Sequence, residues 1–265
     1  MLPIKVVSIL SENSDENCRQ ITQYIGKQLG IATEFLDNIP WQERHNMLDA
    51  QEVQLGWVCG IDYVRKMDSK PPYVELVAAP VMENPRYRQK PIYFSDVIVR
   101  SDRQYYSFAD LRGLSWAYND PGSHSGYNVV QYHLAELGET QGYFGRLIQA
   151  GTHLQAIEMV LENRVDGAAI DSMVLDVELK TKPQLQSQLR VIETLGPSPI
   201  PPWVVTRNVP STLREAIRKV FWHMHETVEG REILKQGQIM KMVRVEDFSY
   251  NLVRDMLRVA DRVKL

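Results

Sequence analysis

The chain has 265 residues, 30 basic and 33 acidic side chains, a formal charge of −3, and 44% hydrophobic and 24% charged residues. That length can bury a sizeable core, as one large domain or two lobes, and the apolar and charged fractions are ordinary for a soluble globular protein. The small acidic excess, with no basic cluster, speaks against a nucleic-acid or membrane partner, and no apolar run reaches the length of a membrane span.

The start, Met1 to Leu10, is too short and too broken by Pro3 and Lys5 for a signal peptide and reads as the first strand. The chain is therefore expected to be either cytoplasmic, with Met1 as its native start, or a mature form whose leader has been removed. Ser14 is the expected cap of a helix through Cys18, Ile21, Ile25 and Leu29, stopped by Gly30. Ile31 to Leu36 is the second strand, Trp41 to Ala50 a short helix opened by Pro40, and Val53 to Val58 the third strand. Cys59 and Gly60 turn into a helix through Met67, and Val74 to Pro80 is the fourth strand. This β-α-β alternation predicts a parallel sheet with helices on its faces, whose ligands sit at the carboxyl ends of the strands. By that rule Ser11, Trp57, Cys59 and Gly60 point at a site. Cys18 and Cys59 match no metal spacing and are expected as buried thiols, with a single disulfide as the alternative.

Pro91 to Arg100 is a long strand, after which the pattern restarts. The strands are Leu114–Asn119, Arg146–Gln149, Val165–Ile170 and Leu189–Thr194, with helices opened near Ser123, Gly151-Thr152-His153 and Asp171-Ser172. The stretch from Leu195 to Pro202 holds four prolines and reads as a stiff connector. Trp203 to Thr206 is a strand again, followed by helices over Ser211–Thr227, Gly230–Lys235 and Glu246–Val263. The expected division is lobe 1 over 1–94 plus 200–265 and lobe 2 over 95–199. Two lobes joined by two crossings imply a cleft between them.

The densest chemistry lies in Asn119-Asp120-Pro121-Gly122-Ser123-His124-Ser125-Gly126-Tyr127. Pro121 and Gly122 break the strand, Ser123 or Ser125 can cap the next helix, and Gly126 allows close approach to the backbone. Free N–H groups, hydroxyls and the positive helix end make an anion cradle. The serine-hydrolase elbow G-x-S-x-G is not met, because its centre is His124, and the lysine of a P-loop is missing.

With Phe108-Ala109-Asp110-Leu111-Arg112-Gly113, then Asp120 to Gly126, then Gly151-Thr152-His153-Leu154-Gln155-Ala156-Ile157, then Val165-Asp166-Gly167-Ala168-Ala169-Ile170-Asp171, the chain resembles the phosphate/phosphite/phosphonate-binding proteins of ABC transporters. The resemblance is to the phosphonate-binding type and covers most of the chain in layout, the second lobe in motif. It implies a two-lobed type 2 periplasmic-binding-protein fold, each lobe a mainly parallel sheet flanked by helices. It also implies an interlobe cleft, a small phosphoryl anion (phosphonate, phosphite or phosphate) as ligand, transporter membrane subunits as partners, a monomer, and a periplasmic location if a leader was removed. No metal, cofactor or catalytic residue is implied.

The family's Ser-Thr-Ser-Gly loop carries over to Ser123, His124, Ser125 and Gly126, with His124 as a departure that adds a titratable group. The family's histidine at the next helix start matches His153, its later acidic residue matches Asp171, and its aromatic residue at the first crossing matches Tyr93. Trp57 or Tyr63 would be the aromatic contact of the first lobe. Asp171 would select a protonated phosphoryl oxygen or an amino group, and its alternative role is an N-cap. For Trp57, Tyr93 and Trp203 the alternative is core packing. His223 and His225 point in different directions on one helix and make a poor metal pair. The competing function is a cytoplasmic protein that reuses the fold as a small-acid enzyme or ligand-sensing domain, in which Ser123, His153 and Asp171 would form a Ser–His–Asp set.

Overall fold

The computed structural model describes residues 3–265. In chain order its strands are β1 (Ile4–Ser8), β2 (Thr33–Phe35), β3 (Leu55–Trp57), β4 (Val74–Met82), β5 (Ile92–Arg100), β6 (Ser115–Tyr118), β7 (Arg146–Gln149), β8 (Gly167–Asp171), β9 (Leu189–Pro199), β10 (Trp203–Thr206) and β11 (Ile239–Val243). Its α-helices are α1 (Asp15–Leu29), α2 (Trp41–Asp49), α3 (Gly60–Asp68), α4 (Val129–Glu136), α5 (His153–Leu161), α6 (Ser172–Thr181), α7 (Leu185–Gln188), α8 (Ser211–His223), α9 (Val228–Gln236) and α10 (Asn251–Ala260). Of the expected first strand, Met1 and Leu2 lie outside the described residues.

The chain forms two compact units. The first runs to Ile92 and resumes over Pro199–Asn251; the second comprises Tyr93–Ser198 and Leu252–Leu265. The C-terminal segment therefore departs from the expected division, which gave all of 200–265 to the first lobe. Its apolar residues Met256, Val263 and Leu265 join the core of the second unit, and Lys264 N donates to Thr140 O.

The first unit holds a six-stranded sheet in the order β11-β4-β10-β3-β1-β2. β1 pairs in parallel with β2 and β3, but β10 runs antiparallel to both β3 and β4, and β11 antiparallel to β4. The second unit holds a five-stranded sheet in the order β7-β6-β8-β5-β9. There β6 is parallel to β7 and β8, while β5 is antiparallel to β8. Both sheets are thus mixed rather than mainly parallel. β10, on which the chain returns to the first unit, runs against both of its neighbours, and β5, which opens the second, runs against β8. In the second unit both faces are covered. Val97, Val99 and Trp116 face one cluster, while Ile98, Ala117 and Ile170 face the other, following the two-residue alternation of a strand.

Three local expectations are corrected. Ser14 does not cap α1: a 3-10 turn over Glu12–Ser14 gives it near-helical φ −96 and ψ −11, and its hydroxyl donates to Ser11 O at 2.7 Å. The proline-rich stretch is not a connector throughout, because β9 continues to Pro199. β9 is the edge strand, where a missing N–H leaves no ladder bond unmade. β11 was unforeseen; Ile239 and Met242 are its buried positions. Gly30 does end α1, in a left-handed conformation at φ 62. Both cysteines are free thiols: Cys18 is buried, and Cys59 is only partly so and caps α3 by accepting from Asp62 N. Among the described residues no helix is long and apolar enough to cross a membrane, and no group of three or more His, Cys, Asp or Glu side chains is placed to hold a metal.

Candidate anion site

β6, β7 and β8 are parallel neighbours, so their carboxyl ends lie at one edge of the second sheet. The loop after β6 leads into Ser123–Gly126, the loop after β7 into His153, and β8 ends on Asp171. Five of the residues expected from the resemblance are therefore gathered by strand order alone, together with His124.

The first loop is built by capping. Ser123 is extended at φ −73 and ψ 136, and its Oγ accepts from Gly126 N at 3.2 Å, which leaves its hydrogen free to donate. The chain then makes a π-helical turn over His124–Asn128, with Asn128 N donating to Ser123 O at 3.1 Å, before continuing as α4. Such a wide turn inside a helix is frequent at functional sites. Ser125 is 4% exposed, and its Oγ lies 3.1 Å from His153 Nε2. His153 is the first residue of α5, behind Thr152, whose side chain accepts from Gln155 N at 3.1 Å. One contact thus ties two helix starts together. Gly126 is required by space: a Cβ there would lie 2.0 Å from Asn119 Oδ1 and 3.0 Å from His153 Cε1.

The electrostatics follow from burial. Burial lowers His153 to about 4, so its imidazole is neutral near pH 7. His124 is lowered to about 3 for the same reason. His124 is also turned inward: Nε2 lies 3.0 Å from Ser198 Oγ, Nδ1 lies 3.1 Å from Asn128 Nδ2, and the residue is 1% exposed. The amide donates to Nδ1, so Nε2 carries the hydrogen that goes to Ser198. Both ring nitrogens thus have partners within the second unit.

Asp171 takes the role of cap. Its Oδ1 accepts from Met173 N at 2.8 Å at the start of α6. Burial raises its carboxyl to about 7; the backbone N–H groups of Met173 and Val174 pull it down, and Asp96 and Asp176 push it further up. A carboxyl group poised there can donate or accept a hydrogen near neutrality. Tyr93, the first residue of the second unit, is 1% exposed, with its ring centroid 6.3 Å from that of His124.

In the first unit, Trp57 ends β3 and Ser11 follows β1, both at carboxyl ends of parallel strands. Trp57 is 4% exposed, donates through Nε1 to Pro201 O at 2.9 Å, and stacks on Trp203 with centroids 5.5 Å apart. That is the packing alternative. Ser11 Oγ is a buried atom with no hydrogen-bond partner among the described residues. Tyr63, the other aromatic candidate, is buried and donates to Asp247 at 2.7 Å.

Three residues escape the sequence pattern: Asn119 against Gly126, Asn128 under His124, and Ser198 at the other side of His124. Asn119 is adjacent enough to the loop to be suspected from its place at a strand end. Ser198, 74 positions from His124, leaves no local signal.

Solved structures share this architecture. PhnD1 of Prochlorococcus marinus, in complex with methylphosphonate, matches with a TM-score of 0.84 at 17% identity over 98% of each chain. A binding-protein component of an ABC phosphonate transporter from Pseudomonas aeruginosa matches with a TM-score of 0.85 at 20% identity, over 98% of this chain and 87% of that one. A protein of Xanthomonas citri bound to ATP matches with a TM-score of 0.74 at 15% identity, over 98% and 99% of the two chains. At such identities the likeness is one of fold, that of two-lobed periplasmic binding proteins. The sequence itself matches the model of one family over residues 6–250, most of its length. The chain belongs to the family of phosphonate periplasmic substrate-binding proteins of ABC transporters.

Proposed function

We propose that the protein captures a small phosphorus oxyanion (a phosphonate, phosphite or phosphate) on the second unit's cradle, as a monomer, and delivers it to the membrane subunits of an ABC transporter. The observation that carries this reading is the buried contact of Ser125 Oγ with His153 Nε2 at 3.1 Å, which brings two helix starts to one strand edge. Helix N-termini favour negative charge, and the first N–H groups of a helix have no partner within it. Ser123 and Ser125 line the cradle, Gly126 keeps the backbone approachable, and Asp171 sets which protonation state or amino substituent is accepted. Tyr93 is the proposed aromatic wall in this unit. In the first unit Ser11 and Trp57, at the carboxyl ends of β1 and β3, are proposed as further ligand residues.

The family is one of substrate-binding proteins, so the enzyme alternative is set aside. A thermal-shift and calorimetric screen tests the reading, using phosphate, phosphite, methylphosphonate, 2-aminoethylphosphonate, sulfate and small carboxylates. A ligand that binds only the folded protein raises Tm as its concentration exceeds Kd. A large shift with one phosphorus anion, lost in Ser125→Ala and His153→Ala, is the expected result. No shift with any phosphorus anion overturns the reading.

A further inference from the structure

The ring of His124 is joined to more of the second unit than its place in the anion loop requires. Its Nδ1 lies 3.1 Å from Asn128 Nδ2 and its Nε2 3.0 Å from Ser198 Oγ, and the Ser198 hydroxyl donates to Met256 Sδ at 3.9 Å. The ring of Tyr93 stands beside it, with centroids 6.3 Å apart. All five residues are buried, Met256 the least at 5% exposed. Met256 also shares one apolar cluster with Val129 and Val130, at the head of the helix that follows the loop.

These partners have places in the chain in common. The chain passes from one unit to the other after Ile92, after Ser198 and after Asn251. Tyr93 is the residue on which it first enters the second unit, Ser198 the one on which it leaves, and Met256 lies in the segment on which it re-enters. Each passage thus has a residue on the His124 ring or one hydrogen bond from it. The bonds run in one direction: the Asn128 amide donates to Nδ1, Nε2–H to the Ser198 hydroxyl, and that hydroxyl to the thioether. At the loop end, Asn128 N donates to Ser123 O at 3.1 Å and Gly126 N to Ser123 Oγ at 3.2 Å. A buried polar group that loses its partner is costly, so a displacement of the loop and a displacement of Ser198 are energetically linked.

We infer that His124 is a positioning residue of the anion site: its imidazole, held between Asn128 and Ser198, ties the geometry of Ser123–Gly126 to Tyr93, Ser198 and Met256, and so couples anion binding on the loop to the three passages of the chain. The inference rests on the proposed oxyanion site. His124 serves that site without donating to the anion, because both of its ring nitrogens already have partners. What it contributes is order. A loop fixed before the ligand arrives loses less freedom on binding, and a ligand that orders the loop further also orders what is bonded to it. Ser198 is the residue that separates this role from a direct contact, since it reaches the loop through the His124 ring.

The test joins amide hydrogen exchange, read by mass spectrometry, to titration calorimetry with methylphosphonate and with inorganic phosphate. The proteins are the native chain, Ser198→Ala, His124→Phe and the double variant. Without ligand, Ser198→Ala should speed exchange of the 124–129 amides by about tenfold, although Ser198 is 74 positions from His124. With ligand, the native protein should gain protection over 194–200 as well as in the loop. Both single variants should lose the former and bind about tenfold more weakly, and the double variant should bind no more weakly than His124→Phe. His124→Gln, which keeps a donor for Ser198, should recover part of the protection and of the affinity. Unchanged loop exchange or native affinity in Ser198→Ala overturns the inference, as does a double variant whose loss is the sum of the two. If His124→Phe does not fold, Met256→Leu takes its place in the cycle. Binding of neither anion by the native protein would overturn the proposed function, while the ligand-free exchange still decides whether Ser198 and the loop are coupled.

Discussion

Gly126→Ala perturbs the cradle where it is tightest. The added methyl would stand 2.0 Å from Asn119 Oδ1, 2.9 Å from Asn119 Cγ and 3.0 Å from His153 Cε1, all closer than van der Waals contact allows. The Asn119 carboxamide must rotate away from the methyl, and His153, at the head of α5 with Nε2 3.1 Å from Ser125 Oγ, must give by a few tenths of an ångström. Overpacking of this kind costs about 1–3 kcal/mol. For a chain of this size Tm falls by roughly 2–4 °C per kcal/mol. The displaced imidazole also loses its contact with Ser125, so affinity for the proposed oxyanion drops by about tenfold or more, near 1.4 kcal/mol. Differential scanning calorimetry reads the first effect and titration calorimetry the second. A Gly126→Ala protein with native Tm and native affinity would refute the packing argument, because the three side chains would then have room that the structure denies them.

Stability should depend on pH with a sign set by three buried groups of the second unit. His124 and His153 are lowered from 6.5 to about 3 and about 4, so the unfolded chain binds their protons first, and stability is lost as pH falls below about 6.5. Asp171 is raised from 3.8 to about 7, so its folded form holds the proton longer and stability is lost as pH rises through that window. Between pH 4 and 6.5 two histidine protons oppose one carboxyl proton, and stability should rise with pH from these groups, by roughly 1 kcal/mol per pH unit. Asp171→Asn removes the opposing term and should roughly double that slope in urea titrations run across the window; an unchanged slope would contradict the burial of Asp171. Thr152→Ala should lower stability by about 1 kcal/mol through loss of the cap on α5, measured as a shift in the urea midpoint at constant m. Trp57→Phe keeps most of the stack on Trp203 but loses the bond to Pro201 O, and should cost about 1 kcal/mol; a Tm equal to the native one would place that indole N–H outside the fold's needs.

Much of the candidate site is written in short stretches of chain. Thr152 before His153 and Ser123 before Gly126 are capping patterns whose donor and acceptor lie three residues apart, so composition and spacing suffice to place two helix starts. Asp171 carries both a functional and a capping reading in the sequence, and the structure gives it the cap without removing its raised carboxyl. For His124 the partners of the ring, Asn128 and Ser198, come only with the structure.

The sequence by itself determined the alternation of strands and helices, the stop at Gly30, the caps at Ser123, Thr152 and Asp171, and the placing of serine, glycine and histidine after β6 and β7. These depend on φ/ψ preferences and hydrogen bonds that reach a few residues along the chain. Only the tertiary structure decided the antiparallel insertion of β5 and β10, the membership of Leu252–Leu265 in the second unit, the inward turn of His124, and the stack of Trp57 on Trp203. Each of those rests on a partner far along the chain, 74 positions for His124 with Ser198 and 144 for Trp57 with Pro201. At such separations many apolar and polar partners are chemically equivalent, and only the packing of whole sheets and helices selects one.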